Sequence, residues 1–303
     1  MQTINSISQF HQLLSLPEPM HPLLSVIHVE DIRIADKNSF GQFSTNFYSI
    51  SLKKDVQAKM KYGQQYYDFD KGTMSFTAPK QVQSHDQPDM NSPDQEIGKG
   101  YVLLFHPDFL VKHPLSAKIK MYGFFSYATH EALHLAGKEE GDILKIIQKI
   151  EQECQHIDRH TQEIILSQID LLLNYSNRFY ERQFITRKAV NNDLLMNMEQ
   201  LLKSYFNSEE PLDNGLPTVD YIANKLNVTT HYLSDMLRVL TGQNTQQHIH
   251  EKLIEKAKEY LSLTDLSVAE ISYQLGFSYP QSFSKLFKKR TRISPLEFRN
   301  SFN

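Results

Sequence analysis

A single cysteine, Cys154, stands in a chain of 303 residues. That excludes an internal disulfide and argues for a reducing compartment. No apolar run approaches the length of a membrane span, and Met1 to Phe10 lacks the basic and apolar blocks of a secretory signal. A cytoplasmic protein with no membrane partner is expected. The chain also lacks a phosphate-cradling glycine loop and a nucleophile elbow, and Cys154 sits in a helical stretch without a catalytic partner, where it reads as a small apolar residue. These absences argue against an enzyme. Thirteen histidines invite a metal reading, but the one His-x-His, His248 and His250, falls inside a predicted helix that points the two rings to different faces. His85 and His106 stand alone. No metal and no cofactor are expected.

What is present is ordinary in amount and uneven in distribution. Hydrophobic residues make up 40% and charged residues 22% of the chain, enough apolar material for two domains with connecting helices. The net charge of -3 hides an asymmetry: residues 217–303 carry 11 basic against 8 acidic side chains (+3), and the remainder 21 against 27 (-6). Lys285, Lys288, Lys289, Arg290 and Arg292 crowd into eight positions. Such a run is either a solvated helix face or a phosphate contact, and its place on a second helix-turn-helix favours phosphate.

From about Ser25 to Phe105 the chain reads as short strands. Phe43 to Leu52 is rich in aromatic and β-branched residues; Gly72 to Pro79 alternates, with Met74, Phe76 and Ala78 on one side; Tyr101 to Phe105 reads as a buried strand that stops before Pro107. A small sandwich or barrel is predicted. After Gly141 the period becomes helical, with Ile143, Ile146, Ile147 and Ile150 in one stripe. A longer helix from Thr161 to Arg182 is apolar on more than one face through Ile164, Ile165, Leu166, Ile169, Leu171, Leu172 and Leu173. It must be buried on several sides, in its own domain or against a second copy of the chain. A third helical block, Asp193 to Phe206, leads to the turn-rich Ser208 to Gly215.

One pattern is then written twice. Thr218 precedes Val219, Ile222 and Leu226; Ser267 precedes Val268, Ile271 and Leu275, each set on one helix face. Ser267 and Glu270 fit a capping box. Asn227 and Gly276 follow, residue types that enter a left-handed turn most easily. A second helix comes after each turn, anchored by Leu233 and Leu237, then by Phe283 and Phe287. The joining helix, Thr245 to Ser262, is about 27 Å long at 1.5 Å per residue, approaching the ~34 Å turn of B-DNA. Two such units in one chain point to DNA reading.

Those residues carry a resemblance. Ala257 to Leu261, Thr264 to Val268, Ile271, Leu275-Gly276-Phe277, Ser282 to Lys289 and Ser294 to Arg299 resemble the DNA-binding domain of the AraC/XylS family of bacterial transcription regulators, over about a third of the chain. The rest is similar in outline to that family's usual partner domain. The resemblance implies an α+β protein: a cupin-like sensor β-barrel at 1–135, a helical connector with dimerisation helices at 136–190, and an all-α DNA-binding domain with two helix-turn-helix units at 191–303. It implies a sequence-specific regulator, an activator by family habit, with double-stranded promoter DNA, RNA polymerase, a second copy of the chain and a small-molecule effector as partners. A protein partner in place of the effector, and a cupin enzyme with a DNA tether, are the rival readings; the missing His-x-His-to-Glu metal motif counts against the enzyme.

Carried over by position, the first recognition helix offers Thr230, His231, Ser234, Asp235 and Arg238. The second offers Pro280, Gln281, Ser282, Ser284 and Lys285 toward bases, with Lys288, Lys289 and Arg290 toward phosphates. Gln281 suits adenine and Lys285 suits guanine. Asp235 either accepts from a cytosine amino group or pairs locally with Arg238. Val239 and Leu240 stand where the second copy has Lys289 and Arg290, so the second unit is expected to anchor more strongly. Arg292 stands where the family, and here Gly242, has glycine; a left-handed backbone there would cost an arginine about 1 kcal/mol. Lys252 replaces an arginine common in the joining helix. Phe43, Phe47, Tyr48, Tyr66, Phe69 and Phe76 are candidates either for an effector pocket or for ordinary core.

Overall fold

The change from strand to helix period falls inside the first of two compact units, Met1–Gln183 and Phe184–Asn303, ahead of its two long helices. The computed structural model describes residues 2–33, 42–54, 61–62, 65–66, 72–84 and 99–301; His85 and Phe69 lie outside these. In chain order the first unit holds β1 (Gln2–Ile4), α1 (Ile7–Leu13), β2 (Leu24–His28), β3 (Gln42–Thr45), β4 (Tyr48–Lys53), β5 (Lys61–Tyr62), β6 (Gln65–Tyr66), β7 (Thr73–Thr77), β8 (Val82–Ser84), β9 (Gly100–Phe105), α2 (Leu115–Lys118), β10 (Leu133–His134), α3 (Gly137–Gln155) and most of α4 (Thr161–Thr186).

The strands form an antiparallel five-stranded sheet, β10-β7-β4-β9-β2, a mixed three-stranded sheet, β1-β3-β8, and the two-stranded β5-β6. A mixed, sheet-containing unit is therefore present, although among the described residues the hydrogen bonds make three separate sheets rather than one closed barrel. Both faces of the larger sheet are covered. Pairing of Ile50 with Leu103 and Phe76, and of Leu52 with Met74, lines up one apolar row, and all five are buried. Phe76 on that face meets Phe124, Phe125 and Tyr180. On the other face Leu104 and Ile27 join Ile4, Ile7, Leu14, Phe43 and Phe47 in a second cluster.

The predicted single strand from Phe43 to Leu52 is instead two strands in different sheets. The chain bends at Asn46-Phe47: the Asn46 amide donates to the Ile4 carbonyl at 3.0 Å, its side-chain amide donates to Asn5 Oδ1 at 2.8 Å, and Thr45 Oγ1 donates to the Phe47 carbonyl at 3.0 Å. Asparagine makes such bends readily, and this one buries Phe47 completely. Helix α3 begins at Gly137, ahead of Gly141, because Glu139 accepts from the Ala136 amide at 2.9 Å and caps the start. Its four isoleucines are buried as the stripe required. In α4, Ile165, Leu166, Ile169, Leu172 and Leu173 are buried inside the chain, while Ile164 and Leu171 remain exposed.

The second unit is all helical: α5 (Lys188–Phe206), α6 (Glu210–Asn214), α7 (Val219–Lys225), α8 (Thr230–Thr241), α9 (Thr245–Leu263), α10 (Val268–Gln274), α11 (Pro280–Thr291) and α12 (Pro295–Asn300). The turn-rich segment between α5 and α7 contains the short helix α6, ended by Gly215 at φ 75°. Ile249, Leu253, Ala257 and Leu261 of α9 are buried, and the pairs α7/α8 and α10/α11 stand at opposite ends of its sequence.

Gly276 is the tightest position of this unit. Its φ is +90°, and a Cβ there would lie 2.6 Å from the Gly215 carbonyl carbon and 2.7 Å from its oxygen. Gly141, inside α3, has open space around it. Gly276→Ala is expected to cost about 2–4 kcal/mol through backbone strain and overlap. Gly141→Ala should gain about 0.5–1 kcal/mol. Urea unfolding of both variants checks this, and equal effects would sink the close-approach argument.

Candidate nucleic-acid interface

Each helix-turn-helix is built from the same parts. Thr218 caps α7 by accepting from the Tyr221 amide, and Asn227 makes the turn at φ 55°. Thr229 caps α8 by accepting from the Tyr232 amide; Leu233, Met236 and Leu237 are buried, and Gly242 closes the helix in the left-handed region. In the second copy Ser267 and Glu270 form a reciprocal capping box on α10, and Gly276 makes the turn. Phe283 and Phe287 are fully buried, with ring contacts to Phe277 at 5.5 Å and to Phe298 of α12 at 5.6 Å. Arg299 locks the far side: its guanidinium donates to the carbonyls of Leu261 at 3.3 Å and Leu266 at 2.6 Å.

Burial of those apolar residues decides what faces outward. At 100° per residue, His231, Asp235 and Arg238 share one face of α8, and Gln281, Lys285 and Lys288 share the matching face of α11. The three on α11 are exposed, as are Ser282 and Lys289; Pro280 and Ser284 are half-buried, Pro280 in the first turn where its missing N–H costs nothing. On α8, His231 is exposed and Thr230 half-buried. Ser234 is drawn inward, its hydroxyl 2.9 Å from that of the buried Thr245. Arg238 donates to Asp235 at 2.8 Å. In the chain alone Asp235 is thus paired locally. The matched faces therefore differ in charge: a neutral Asp-Arg pair on α8, two lysines on α11.

Arg290 is exposed and also has a partner within the chain. It lies half a turn from Gln281 and Lys285, toward α9, where its guanidinium donates to His250 Nδ1 at 3.2 Å. The 100° periodicity held that signal; reading the basic run as one block missed it. His250 also lies 3.0 Å from the Gln246 amide, whereas His248 turns to Thr241 at 2.9 Å. The two rings thus serve different neighbours. Arg292 is left-handed at φ 73°, as feared for a non-glycine residue. Lys252 makes an exposed pair with Glu255, an interaction of small worth.

The other candidates find packing roles. Phe43 and Phe47 are core, Tyr48 stacks on Phe105 at 5.1 Å, and Phe76 packs as described above; of the Tyr66 side chain nothing is described. Burial pushes the Cys154 thiol up to about 11, with Glu151 and Glu153 adding to the rise, so it stays protonated and unreactive. Among the described residues no three His, Cys, Asp or Glu side chains converge as metal ligands, and no helix is long and apolar enough to cross a membrane.

The fold of the second unit and its two outward faces define a helix-turn-helix DNA-binding protein. Residues 222–301 match the family described as "Helix-turn-helix domain". The Transposon Tn10 TetD protein of Escherichia coli is 30% identical over 93 residues, 31% of this chain and 67% of that protein. An uncharacterized HTH-type transcriptional regulator in the cgkA 5' region of Pseudoalteromonas carrageenovora is 30% identical over 115 residues, 38% of this chain. The HTH-type transcriptional activator RhaS of an Enterobacter species is 23% identical over 266 residues, 86% of this chain and 88% of that protein. The chain spans less than two thirds of the first of its curated relatives, 8%, 63% and 29% of their lengths. A solved AraC-type regulator from Chromobacterium violaceum shares 24% identity over 37% of this chain and 93% of its own, with a TM-score of 0.33. The chain belongs to the AraC/XylS family of transcription regulators.

One acid-side effect follows from α9. Burial, then Arg290 and Lys289, hold the His250 imidazole below the ordinary histidine range. The folded state thus favours neutral His250, whose Nδ1 accepts from Arg290. Its contribution to stability is complete above pH ~6.5, the ordinary value, and is lost as the pH falls through the lowered folded value. His250→Gln should flatten this acid-side loss in thermal unfolding between pH 7 and 5; an unchanged slope would remove His250 from the account.

Proposed function

We propose that the chain is a sequence-specific regulator that reads a bipartite promoter site in double-stranded DNA, with activation favoured over repression. The observation that carries this reading is the matched presentation of His231, Asp235, Arg238 and Gln281, Lys285, Lys288 from two helices that each follow a capped helix and a left-handed turn and are each held by a buried apolar pair. Gln281 and Lys285 would read adenine and guanine edges, with Ser282 and Ser284 near bases or phosphates and Lys288 and Lys289 on phosphates. Thr230, His231 and Arg238 would make the first unit's contacts, with Asp235 holding Arg238 and Ser234 contributing through packing. Arg290 would act through α9 rather than on phosphate directly.

Selection of bound duplexes from a random pool by the full-length protein tests this. Two conserved blocks about one helical turn apart support two readers; a single block removes the first unit from base reading; no enrichment refutes DNA binding by the chain alone. Lys285→Ala should relax base preference at one position at a cost of about 1–3 kcal/mol, whereas Lys288→Ala should weaken binding to all sequences and lower the salt slope by about one. Equal losses with unchanged preference in both would refute these roles.

The first unit is proposed as the receiver of a signal that biases the second, and α4 as the dimer surface, on the strength of Ile164 and Leu171, exposed seven residues apart on one face. Cytoplasmic action on promoters beside RNA polymerase completes the reading; catalysis has no place in it. The cupin-like character of the first unit belongs to the same proposal, with 136–190 as connector. The signal is proposed to be a small molecule, and a melting shift that saturates with one compound of a metabolite set tests it. Leu171→Glu should convert dimer to monomer in sedimentation; a monomeric wild-type chain would dispose of the dimer.

A further inference from the structure

The two helix-turn-helix copies provide an internal comparison in which local stability rules hold in the first and fail in the second. At the start of α8, Thr229 caps the helix by accepting from the Tyr232 amide. From α7 through α12, every other helix start but one has such a side-chain cap: Thr218, Asn244, Ser267 and Ser294 complete the set. The exception is α11. Its cap position holds Tyr279, which makes no capping hydrogen bond and leaves the ring 69% exposed. At the other end, α8 closes on Gly242 in the left-handed region, and α11 closes on Arg292 in the same conformation. Arg292 is exposed, and among the described residues its guanidinium makes no hydrogen bond or ion pair.

Both departures lower stability. A serine, threonine or aspartate cap is worth about 0.5–2 kcal/mol over an uncapped start, and a non-glycine left-handed residue costs about 1–2 kcal/mol. Exposed positions offer no packing in return. Retention of unfavourable local choices at both ends of one helix, and at neither end of its twin, marks those two side chains as serving something outside the folded chain. Their chemistry names it. Tyr279 brings a flat apolar ring and a hydroxyl donor; Arg292 brings a charged fork suited to phosphate. Between them run Lys285, Lys288 and Lys289. At 12 residues α11 is about 18 Å long, longer than the ~12 Å width of a major groove. A recognition helix lies in the groove with part of its length at the base edges, and the chain entering and leaving it runs beside the sugar–phosphate walls, where side chains at its two ends can reach phosphates.

We infer that Tyr279 and Arg292 are DNA-backbone contacts of the second unit, one at each rim of the groove that α11 enters. The inference rests on the DNA-reading proposed above and adds two residues to it. Tyr279 packs its ring on a deoxyribose and donates its hydroxyl to a phosphate oxygen; Arg292 pairs with a phosphate on the opposite rim. The helix gives up local stability at both ends and gains span on the duplex.

The full-length protein and the duplex it selects from a random pool provide the test, with Tyr279→Ser, Arg292→Gly and Lys285→Ala compared with wild type. Tyr279→Ser restores a cap, and Arg292→Gly relieves the left-handed residue. Both should raise the melting temperature of the helical unit by a few degrees and yet weaken DNA binding about fivefold or more. Arg292→Gly should also lower the salt slope by about one, and Tyr279→Ser should leave it unchanged, because a neutral hydroxyl displaces no counterion. If Lys285→Ala weakens binding while the two stabilised variants bind as wild type does, this inference falls and the reading of α11 survives. If the wild-type chain selects no duplex, both fall together.

Discussion

The outward chemistry of this protein depends on the burial of two apolar side chains one turn apart on each recognition helix: Leu233 and Leu237 on α8, Phe283 and Phe287 on α11, all at 0% exposure. Such a pair fixes the rotation of a helix about its own axis. Full burial of each side chain stabilises by about 1.5–3 kcal/mol, far more than any exposed contact on the opposite face returns. The polar face therefore points where the core sends it. Lys285 and Lys288 need no partner of their own to be held in position, which suits side chains that must be available to a ligand.

With the frames alike, the contents differ, and the difference is electrostatic. Asp235 and Arg238 neutralise one another on α8, so that face contributes little long-range attraction. Among the described residues no acid forms an ion pair with Lys285, Lys288 or Lys289 on α11, although Glu297 of α12 lies within electrostatic reach of Lys288, and a cationic face of this kind attracts the phosphate backbone at long range. On α8 the pairing with Asp235 instead restricts where the Arg238 guanidinium can point.

Much of this was legible in the sequence. The caps at Thr218 and Ser267, the turns at Asn227 and Gly276, the apolar pairs and the left-handed Arg292 are local features, written in a few adjacent residues and decided by local physics. The break at Asn46-Phe47 was not, because what bends the chain there is the carbonyl of Ile4 and the side chain of Asn5, some forty residues away. Helix α6 escaped notice because five residues carry too little periodicity. The clash that forbids a side chain at Gly276 depends on Gly215, a contact no spacing announces. Arg290 is the instructive middle case: its direction followed from the helical period, but its partner, His250, lies forty positions earlier.

That partnership makes α9 more than a connection. Nineteen residues give it about 28 Å, close to the ~34 Å that separates successive major-groove faces on one side of a duplex. A spacer sets distance only if its ends are fixed. Asn244 and Gln247 cap one end reciprocally, and Thr245 meets Ser234 of α8 there. At the other end Arg299 binds the carbonyls of Leu261 and Leu266, and in the second turn of α9 His250 holds Arg290 of α11. Each recognition helix is thus tied to the spacer by a polar contact as well as by its apolar pair. Apolar burial sets the rotation of α8 and α11 about their own axes; these directional bonds set their places along α9, and the two together leave little freedom in the spacing between the two outward faces.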